Sequence, residues 1–300
     1  MIPIVDAHHH IWRQKDVPWL MGPMVPRIFG PYEAIRRDYL IDEYLADIAG
    51  CGVVKSVYVQ ANWSKDQAID EVRFVQSVHD AHGWPHAIVG YADLMSDDAP
   101  ATLAAMAKIP ALRGIRMQLH WHKNPLYRFA AEPDVMAQPQ FRKNFAYLAA
   151  HGLSFELQVF SSQMADAALL GSRFPETTLV LQHAGMLEDL SDDGRTTWRE
   201  GMKRMADQPN IVSKTSGLGT FIHRNDAAHI AEVVSETVKM FGADRCLFGS
   251  NFPIEKLWTR YGDLVAAHRS ALASLAVSSQ RSILHDNACR VYKLESSQDE

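Results

Sequence analysis

The stretch Ile2-Pro3-Ile4-Val5-Asp6-Ala7-His8-His9-His10-Ile11-Trp12 begins the chain as an apolar strand that ends in three histidines. Side chains alternate between the two faces of a strand, so the pattern predicts that Asp6, His8 and His10 share one face and that Ala7 and His9 share the other. In a parallel barrel, the C-terminal end of each strand opens on the mouth, where barrel enzymes hold their catalytic groups. Two imidazoles at that mouth can bind a metal or exchange a proton.

Strand-like and helix-like segments alternate along the rest of the chain. After the first strand, the pattern predicts strands over 53–60, 87–94, 112–119, 154–160, 178–185, 210–217 and 246–253. It predicts helices over 40–52, 64–82, 97–109, 139–152, 161–173, 196–207, 227–241 and 262–275. Eight strand–helix units favour a single α/β domain over 1–300, a (β/α)8 TIM barrel. An open doubly wound sheet is the alternative, but histidines occupy the place of its glycine-rich phosphate turn.

A long apolar segment, residues 12–37, separates the first predicted strand from the first helix. It contains four prolines together with Trp12, Trp19, Phe29 and Tyr32. A loop of this length in a compact domain is either disordered or functional, and this one is too apolar for a disordered linker. We therefore expect a packed lid beside the mouth of the barrel.

The composition excludes several classes of protein. Apolar residues make up 47% of the chain, the net charge is −5, and no long basic run occurs, which argues against a nucleic-acid or anionic-membrane surface. The three cysteines are widely spaced and form no CxxC pair, as expected in a reducing cytoplasm. We expect a cytoplasmic enzyme with no signal peptide, no membrane span and a small-molecule substrate. A homodimer is also possible, because barrels with long loops often dimerise.

Polar side chains gather at the C-terminal ends of the predicted strands. Burying a polar side chain in a strand is costly unless it has a hydrogen-bonding or charged partner, so such residues are expected to be paired or to serve in binding or catalysis. Arg116 and Lys214 can supply positive charge for a carbonyl or an oxyanion, and His183 can act as an acid, a base or a third ligand. The residues concerned are His8, His10, Gln60, Arg116, Gln118, His120, Glu156, Gln158, His183, Lys214 and Asn251.

Four motifs resemble the amidohydrolase superfamily, and within it the branch of sugar-lactone and pyrone-dicarboxylate lactonases. They are Asp6-Ala7-His8-His9-His10, Gln182-His183-Ala184-Gly185, Lys214-Thr215-Ser216-Gly217 and Phe248-Gly249-Ser250-Asn251-Phe252-Pro253. The resemblance implies a (β/α)8 barrel that hydrolyses a lactone or a related ester or amide. It also implies that His8, His10 and His183 line the site and that Arg116, Gln158 and Lys214 hold the substrate. We add Gln60 and Trp258 as candidate substrate contacts.

Two positions depart from the superfamily pattern, which has a histidine on strand five and an aspartate on strand eight. Gln158 and Asn251 stand there instead. Asparagine can orient a water, but it carries no charge that could accept a proton near neutral pH. The catalytic set is therefore His183, Asn251, Lys214 and Glu156, with the identity of the base open.

Three routes remain. A divalent metal, zinc first, held by His8, His10 and His183 could activate a water. Without a metal, His183 or Glu156 could be the base, with Arg116 and Lys214 stabilising the oxyanion. In the third route the barrel has lost hydrolysis and acts as a metal-assisted decarboxylase or a ligand-binding protein.

Overall fold

Eight parallel strands form one sheet in chain order in a computed structural model that describes residues 2–294. Seven parallel ladders join each strand to the next. The strands are β1 (Ile4–His9), β2 (Val53–Val59), β3 (Ala87–Gly90), β4 (Leu112–Arg116), β5 (Ser154–Leu157), β6 (Leu179–Leu181), β7 (Ile211–Thr215) and β8 (Cys246–Phe248). The predicted (β/α)8 barrel is confirmed.

The barrel closes through the residues that follow β8. A parallel bridge joins His9 to Phe252, and the amide of Asn251 donates to the carbonyl of His8 over 2.7 Å. The amide of Ser250 donates to Asp6 Oδ1 over 2.8 Å. These bonds fix the C-terminal ends of the first and last strands against each other, which places His8 beside Asn251.

Twelve α-helices surround the strands within the described residues. They are α1 (Pro18–Met21), α2 (Ile41–Ile48), α3 (Ala68–His82), α4 (Ala99–Met106), α5 (Pro139–Phe145), α6 (Tyr147–Ala150), α7 (Met164–Arg173), α8 (Asp192–Ala206), α9 (Ala227–Phe241), α10 (Tyr261–Leu272), α11 (Val277–Arg281) and α12 (Asn287–Val291). Helix α8 begins four residues before its predicted start, because Ser191 caps it by accepting from the Gly194 amide. Within residues 2–294, no helix is both long and apolar enough to cross a membrane.

A register shift in the second half of β1 changes the predicted pattern of faces. Ala7 packs with the apolar residues inside the barrel, whereas Asp6 accepts a hydrogen bond from the Tyr44 hydroxyl in the helical layer. The shift then turns His8 and His10 inward as predicted, since both rings contact each other. The prediction that Asp6 shares their face is wrong, because a bulge breaks the two-residue alternation.

The barrel interior is filled from its N-terminal end by the last helix. Tyr292 is fully buried and packs with Val5, Val57 and Val212 from the strands. Small β-branched residues leave room for this ring at the barrel axis. The polar residues at the C-terminal ends of the strands therefore lie above a packed apolar core at the barrel axis.

The segment after β1 packs over the mouth, as expected of a lid. Trp12 is buried and pairs with Tyr39 through an antiparallel bridge. The Trp19 ring lies 5.8 Å from Trp12, 6.0 Å from Phe29 and 5.6 Å from Tyr32. Aromatic packing therefore orders this segment, which has little regular secondary structure apart from the short helix α1.

Candidate active site

A cavity of about 400 Å³ opens at the C-terminal ends of the strands. Seven of the eleven polar residues predicted at the strand ends line it, namely His10, Arg116, Gln118, His120, Gln158, His183 and Asn251. Six aromatic side chains from the lid and the later loops also line it: Trp12, Trp19, Phe29, Trp63, Phe129 and Phe221. The volume is that of a small-molecule site.

Two of these residues occupy left-handed backbone conformations. His183 has a φ of 54° and Asn251 a φ of 58°. Strand β6 ends at Leu181, so His183 sits on a tight turn rather than on the predicted extended strand. Gly217 makes room for that turn, because a Cβ there would lie 2.5 Å from His183 Nδ1. Strained backbone of this kind is costly and concentrates at functional sites.

His183 is held in one orientation as a neutral imidazole. Its Nδ1 lies 2.9 Å from the Ser216 hydroxyl. Burial, followed by the charges of Arg116 and Lys214, lowers the pKa of His183 to about 3. We assign to His183 the tautomer in which Nδ1 donates to the Ser216 hydroxyl, which leaves Nε2 as the proton acceptor.

The other histidines near the cavity are also uncharged at neutral pH. His10 Nδ1 lies 2.6 Å from the Val59 carbonyl, and burial, followed by the charge of Arg116, lowers the pKa of His10 to about 3. Burial and the same charge lower the pKa of His120 to about 3. His120 Nδ1 is buried without a partner, and its ring packs between Phe129 and Phe160.

Buried neutral histidines make the fold sensitive to acid. Each has a folded-state pKa below the ordinary value of about 6.5, so the unfolded chain binds more protons than the folded chain as the pH falls below that value. The stability that these groups contribute is present above pH 6.5 and is lost as the pH falls. The residues are His8, His9, His10, His120 and His183. Burial raises the pKa of Glu71, Glu188 and Glu255 to about 6, 7 and 8, which acts in the opposite direction on fewer groups.

We therefore expect the free energy of unfolding to fall between pH 6.5 and pH 5.0. The matched variant is His120→Phe, which places a ring between Phe129 and Phe160 and removes one titrating group. Its loss of unfolding free energy over this interval should be about 2 kcal/mol smaller than that of the native chain. Urea unfolding at both pH values measures the difference. Equal losses in the two proteins would contradict the prediction.

The three histidines predicted to bind a metal lie together but do not form a complete site. The His8 ring centroid is 5.1 Å from that of His10 and 4.9 Å from that of His183. His8 Nε2 is buried without a partner, as a free ligand atom would be. Across residues 2–294, however, no three His, Cys, Asp or Glu side chains are arranged to hold a metal. The residues fit zinc in donor type but not in arrangement, so this ligand set stays a prediction.

A missing carboxylate can be restored at Asn251, whose side chain lies beside His10. We expect Asn251→Asp to bind zinc more tightly than the native chain, because a charged oxygen ligand would join the imidazoles. The gain should be roughly tenfold, comparable with the smaller effects of metal-site substitutions. Equilibrium dialysis against buffered zinc measures it without any assay of activity. Asn62→Asp, also in the cavity wall, controls for added charge, and an equal gain there would contradict the prediction.

Arg116 supplies a buried positive charge to the cavity. One terminal nitrogen donates to the Gln60 carbonyl, and the other lies 3.4 Å from Gln182 Oε1. Its Nε has no partner, and burial lowers the pKa of Arg116 to about 10. Gln60 itself is buried with its Oε1 accepting from the Asn62 amide, so it positions Arg116 instead of lining the cavity. The guanidinium is therefore held in place before any ligand binds.

Lys214 and Glu156 form an ion pair beneath the cavity instead of lining it. Both side chains are fully buried, and Lys214 Nζ lies 2.8 Å and 3.0 Å from the two Glu156 oxygens. Glu156 also accepts from the Tyr292 hydroxyl and from Gln182 Nε2. A carboxylate with four hydrogen bonds to fixed partners is poorly placed to take a proton from water. The geometry therefore argues against Glu156 as the base and gives Lys214 a supporting position.

Two further predicted contacts have different surroundings. Trp258 donates from Nε1 to Glu255 Oε2 and lines a shallow surface pocket beside the main cavity. Gln158 does line the cavity, where its Oε1 accepts from Gln118 Nε2 over 3.2 Å. Three cations in the wall were missed: Arg27, Lys65 and Arg128. Arg27 and Arg128 lie on loops without a periodic pattern, and Lys65 lies at the start of the helix predicted over 64–82, where a lysine gives no sign of a site.

The comparisons with known proteins agree with this geometry. The family model described as amidohydrolase matches residues 5–294. An uncharacterized protein of Sinorhizobium fredii, y4mH, is 35% identical over 98% of this chain and 99% of its own. An L-fucono-1,5-lactonase of Burkholderia ambifaria is 26% identical over 97% of this chain and 96% of its own. A zinc-bound amidohydrolase from Burkholderia multivorans superposes with a TM-score of 0.82 at 25% identity, over 98% of this chain and 100% of the other. The resemblance seen in the motifs is thereby confirmed, and the chain belongs to the amidohydrolase family.

Proposed function

We propose that this protein is a lactonase, which opens a small cyclic ester with water. One observation carries the proposal: a neutral His183 and a buried Arg116 line the same cavity. This pair supplies the two groups that ester hydrolysis needs, a proton acceptor and a stabiliser of negative charge. The similarity to L-fucono-1,5-lactonases across nearly the whole chain supports the same class of reaction.

The first step is attack of water on the lactone carbonyl. His183 Nε2 takes a proton from the attacking water, and the oxygen forms a bond to the carbonyl carbon. The carbonyl oxygen becomes an oxyanion, which the Arg116 guanidinium stabilises. Negative charge near Arg116 offsets the cation that depresses the pKa of His183, so the imidazole gains proton affinity as the intermediate forms.

The second step opens the ring. The carbon–oxygen bond to the ring oxygen breaks, the carbonyl re-forms, and the leaving alkoxide takes the proton from His183. The product is a hydroxy acid, and the histidine returns to its neutral state. Gln158 and Asn251 also line the cavity and can orient the water and the lactone through their amides. The described histidines are not arranged as a metal site, and both steps are assigned to His183 and Arg116.

The test is a lactone panel assayed by proton release, with purified protein run side by side in chelator and in buffered zinc. The proposal predicts ring opening of at least one lactone class, with one hydroxy acid formed for each lactone consumed. Release of carbon dioxide from carboxylated substrates without water uptake would favour the decarboxylase alternative. Binding without turnover under both conditions would favour the ligand-binding alternative.

A further inference from the structure

The wall of the cavity changes in character between its deep end and its opening. His183 and Arg116, the two groups that the mechanism uses, are almost fully buried. Leu126 and Phe129 line the same cavity but are 42% and 48% exposed. Large apolar side chains that stay exposed beside a ligand cavity mark a surface that a ligand or a partner covers. The opening therefore offers apolar surface that the fold leaves partly in water.

These two side chains belong to a larger apolar strip along the cavity wall. The lid and the loop after β4 each contribute two of its members, and the loop after β7 contributes one. All five line the cavity, and none is fully buried. Three segments that are distant in sequence thus present apolar side chains to one opening. We call this set the apolar strip, and its members are Ile28, Phe29, Leu126, Phe129 and Phe221.

Contacts between the three segments connect the apolar strip. His223, two residues after Phe221, places its Nε2 3.0 Å from the carbonyl of Ile28 on the lid. The Phe221 ring lies 5.4 Å from the ring of Tyr127, which follows Leu126 directly. The loop after β7 thus joins the lid to the loop after β4. A chain that extends outward from the deep end can therefore stay in contact with apolar surface on this side of the opening.

Hydrogen bonds to the backbone hold the exposed part of the apolar strip in place. Asn124 Oδ1 accepts from the amide of Leu126 over 3.1 Å. The amide of Phe129 donates to the carbonyl of His120 over 3.0 Å, and the two rings lie 5.4 Å apart. The apolar side chains are thus held at the opening before a ligand binds. Because they are already ordered, binding there has a small entropic cost.

A second part of the wall is polar and suits the oxygen atoms of a lactone ring. The loop after β2 contributes an amide and a hydroxyl, and the strand ends and later loops contribute further ones. A ring that carries only hydroxyl groups would meet these side chains, but it has no apolar part to cover the apolar strip. The wall as a whole therefore fits a ligand with a polar ring and an apolar extension. The polar groups are Asn62, Ser64, Gln118, Gln158, Thr220 and Asn251.

We propose that the substrate is a lactone whose ring carries an alkyl chain, and that this chain lies along the apolar strip. The inference rests on the proposed lactonase function and leaves both steps of that reaction unchanged. The ring lies at the deep end beside His183 and Arg116, and the chain extends toward Leu126 and Phe129. A cavity of about 400 Å³ exceeds what a bare six-membered lactone fills, so the chain has room. Each methylene that leaves water adds a similar increment to binding.

The test is a series of δ-lactones that differ only in the length of one alkyl substituent. δ-Hexalactone, δ-octalactone and δ-decalactone carry a methyl, a propyl and a pentyl group at the same ring carbon, so the reacting carbonyl is equivalent in all three. We expect kcat/KM to rise roughly twofold to threefold for each added carbon, as partial burial of each methylene predicts. Initial rates of proton release, measured below the solubility limit of each lactone, give the dependence on chain length.

Variants of Leu126 test whether the apolar strip causes this dependence. Leu126 is exposed, so its replacement should not disturb the fold. We expect Leu126→Ser to lower kcat/KM for δ-decalactone roughly threefold to tenfold more than that for δ-hexalactone, and Leu126→Met to keep the native dependence. Leu190→Ser is the matched control, because Leu190 is 38% exposed on the loop after β6 and lies outside the cavity wall. This control should leave the dependence on chain length unchanged.

Equal kcat/KM for the three δ-lactones in the native enzyme would overturn the inference and leave the lactonase proposal intact. The inference is also overturned if Leu126→Ser lowers kcat/KM equally for all three, or if Leu190→Ser changes the dependence as much as Leu126→Ser does. Sedimentation velocity at the assay concentration tests whether a second copy of this chain covers the apolar strip. A dimer that Leu126→Ser dissociates would overturn the inference in favour of an interface between copies.

Failure of the lactonase proposal gives a different result. If neither the δ-lactones nor L-fucono-1,5-lactone is hydrolysed, in chelator or in buffered zinc, the lactonase proposal fails. Calorimetric binding of δ-hexalactone and δ-decalactone then tests the apolar strip alone. Tighter binding of δ-decalactone would support the inference as a statement about binding, and equal affinities would overturn it.

Discussion

Replacing His183 with asparagine should lower kcat for lactone opening by about 10²- to 10⁴-fold, the usual contribution of a general base. Asparagine is the suitable substitute because His183 has a φ of 54°, a conformation that asparagine tolerates better than most residues. Its amide can still approach the Ser216 hydroxyl, so the turn after β6 should persist. What is lost is the imidazole nitrogen that accepts the proton of the attacking water.

The pH dependence separates a lost base from a damaged site. Once the base is gone, hydroxide must replace it, so the residual rate of His183→Asn should rise tenfold for each pH unit between pH 7 and pH 9. The native rate should be nearly flat over that range, because His183 is already neutral. His120→Asn is the matched control in the same wall, with a ring nitrogen that has no partner. An equal loss in both variants, or a flat residual rate, would contradict the role of His183 as base.

The barrel and the floor of its mouth could be predicted because they follow from repeating chemistry. Apolar runs that end in polar residues locate the C-terminal ends of parallel strands, so His10, Arg116 and His183 could be expected to meet. The order of the strands follows from the order of the segments. The sequence pattern does not predict the backbone conformation of the residues that follow each strand.

The errors lie where tertiary packing overrides local periodicity. The bulge in β1 moves Asp6 to the helical layer, and the left-handed turn at His183 depends on the space left by Gly217. The pairing of Lys214 with Glu156 joins residues 58 positions apart. Arg27 lies in a lid without repeating structure. Each of these features is fixed by contacts between distant segments, so no local pattern records it.

Replacing Lys214 with methionine should lower the free energy of unfolding by about 3–5 kcal/mol, the cost of breaking a buried ion pair. Both partners are fully buried, so the remaining Glu156 charge would lose its hydrogen-bonded cation and keep only the more distant attraction of Arg116. Tyr292 and Gln182 would still donate to it, but they carry no charge. Urea unfolding at pH 7.5 measures the loss.

The double variant Lys214→Met, Glu156→Gln distinguishes a structural pair from a catalytic lysine. Removing both charges relieves the penalty, so we expect stability to recover by at least half of the single-variant loss, since neutral replacements of buried pairs are often tolerated. Removing the pair takes away one charge that lowers the pKa of His183 and one that raises the pKa of Arg116. Because His183 should stay neutral and Arg116 charged near pH 7, kcat should stay within about tenfold of the native value. If the double variant were stable yet had lost activity a hundredfold or more, Lys214 would act on the substrate directly. Lys214 would then be paired with Glu156 only in the free enzyme and would leave that pair to contact the substrate, so the pair would not serve only to stabilise the fold.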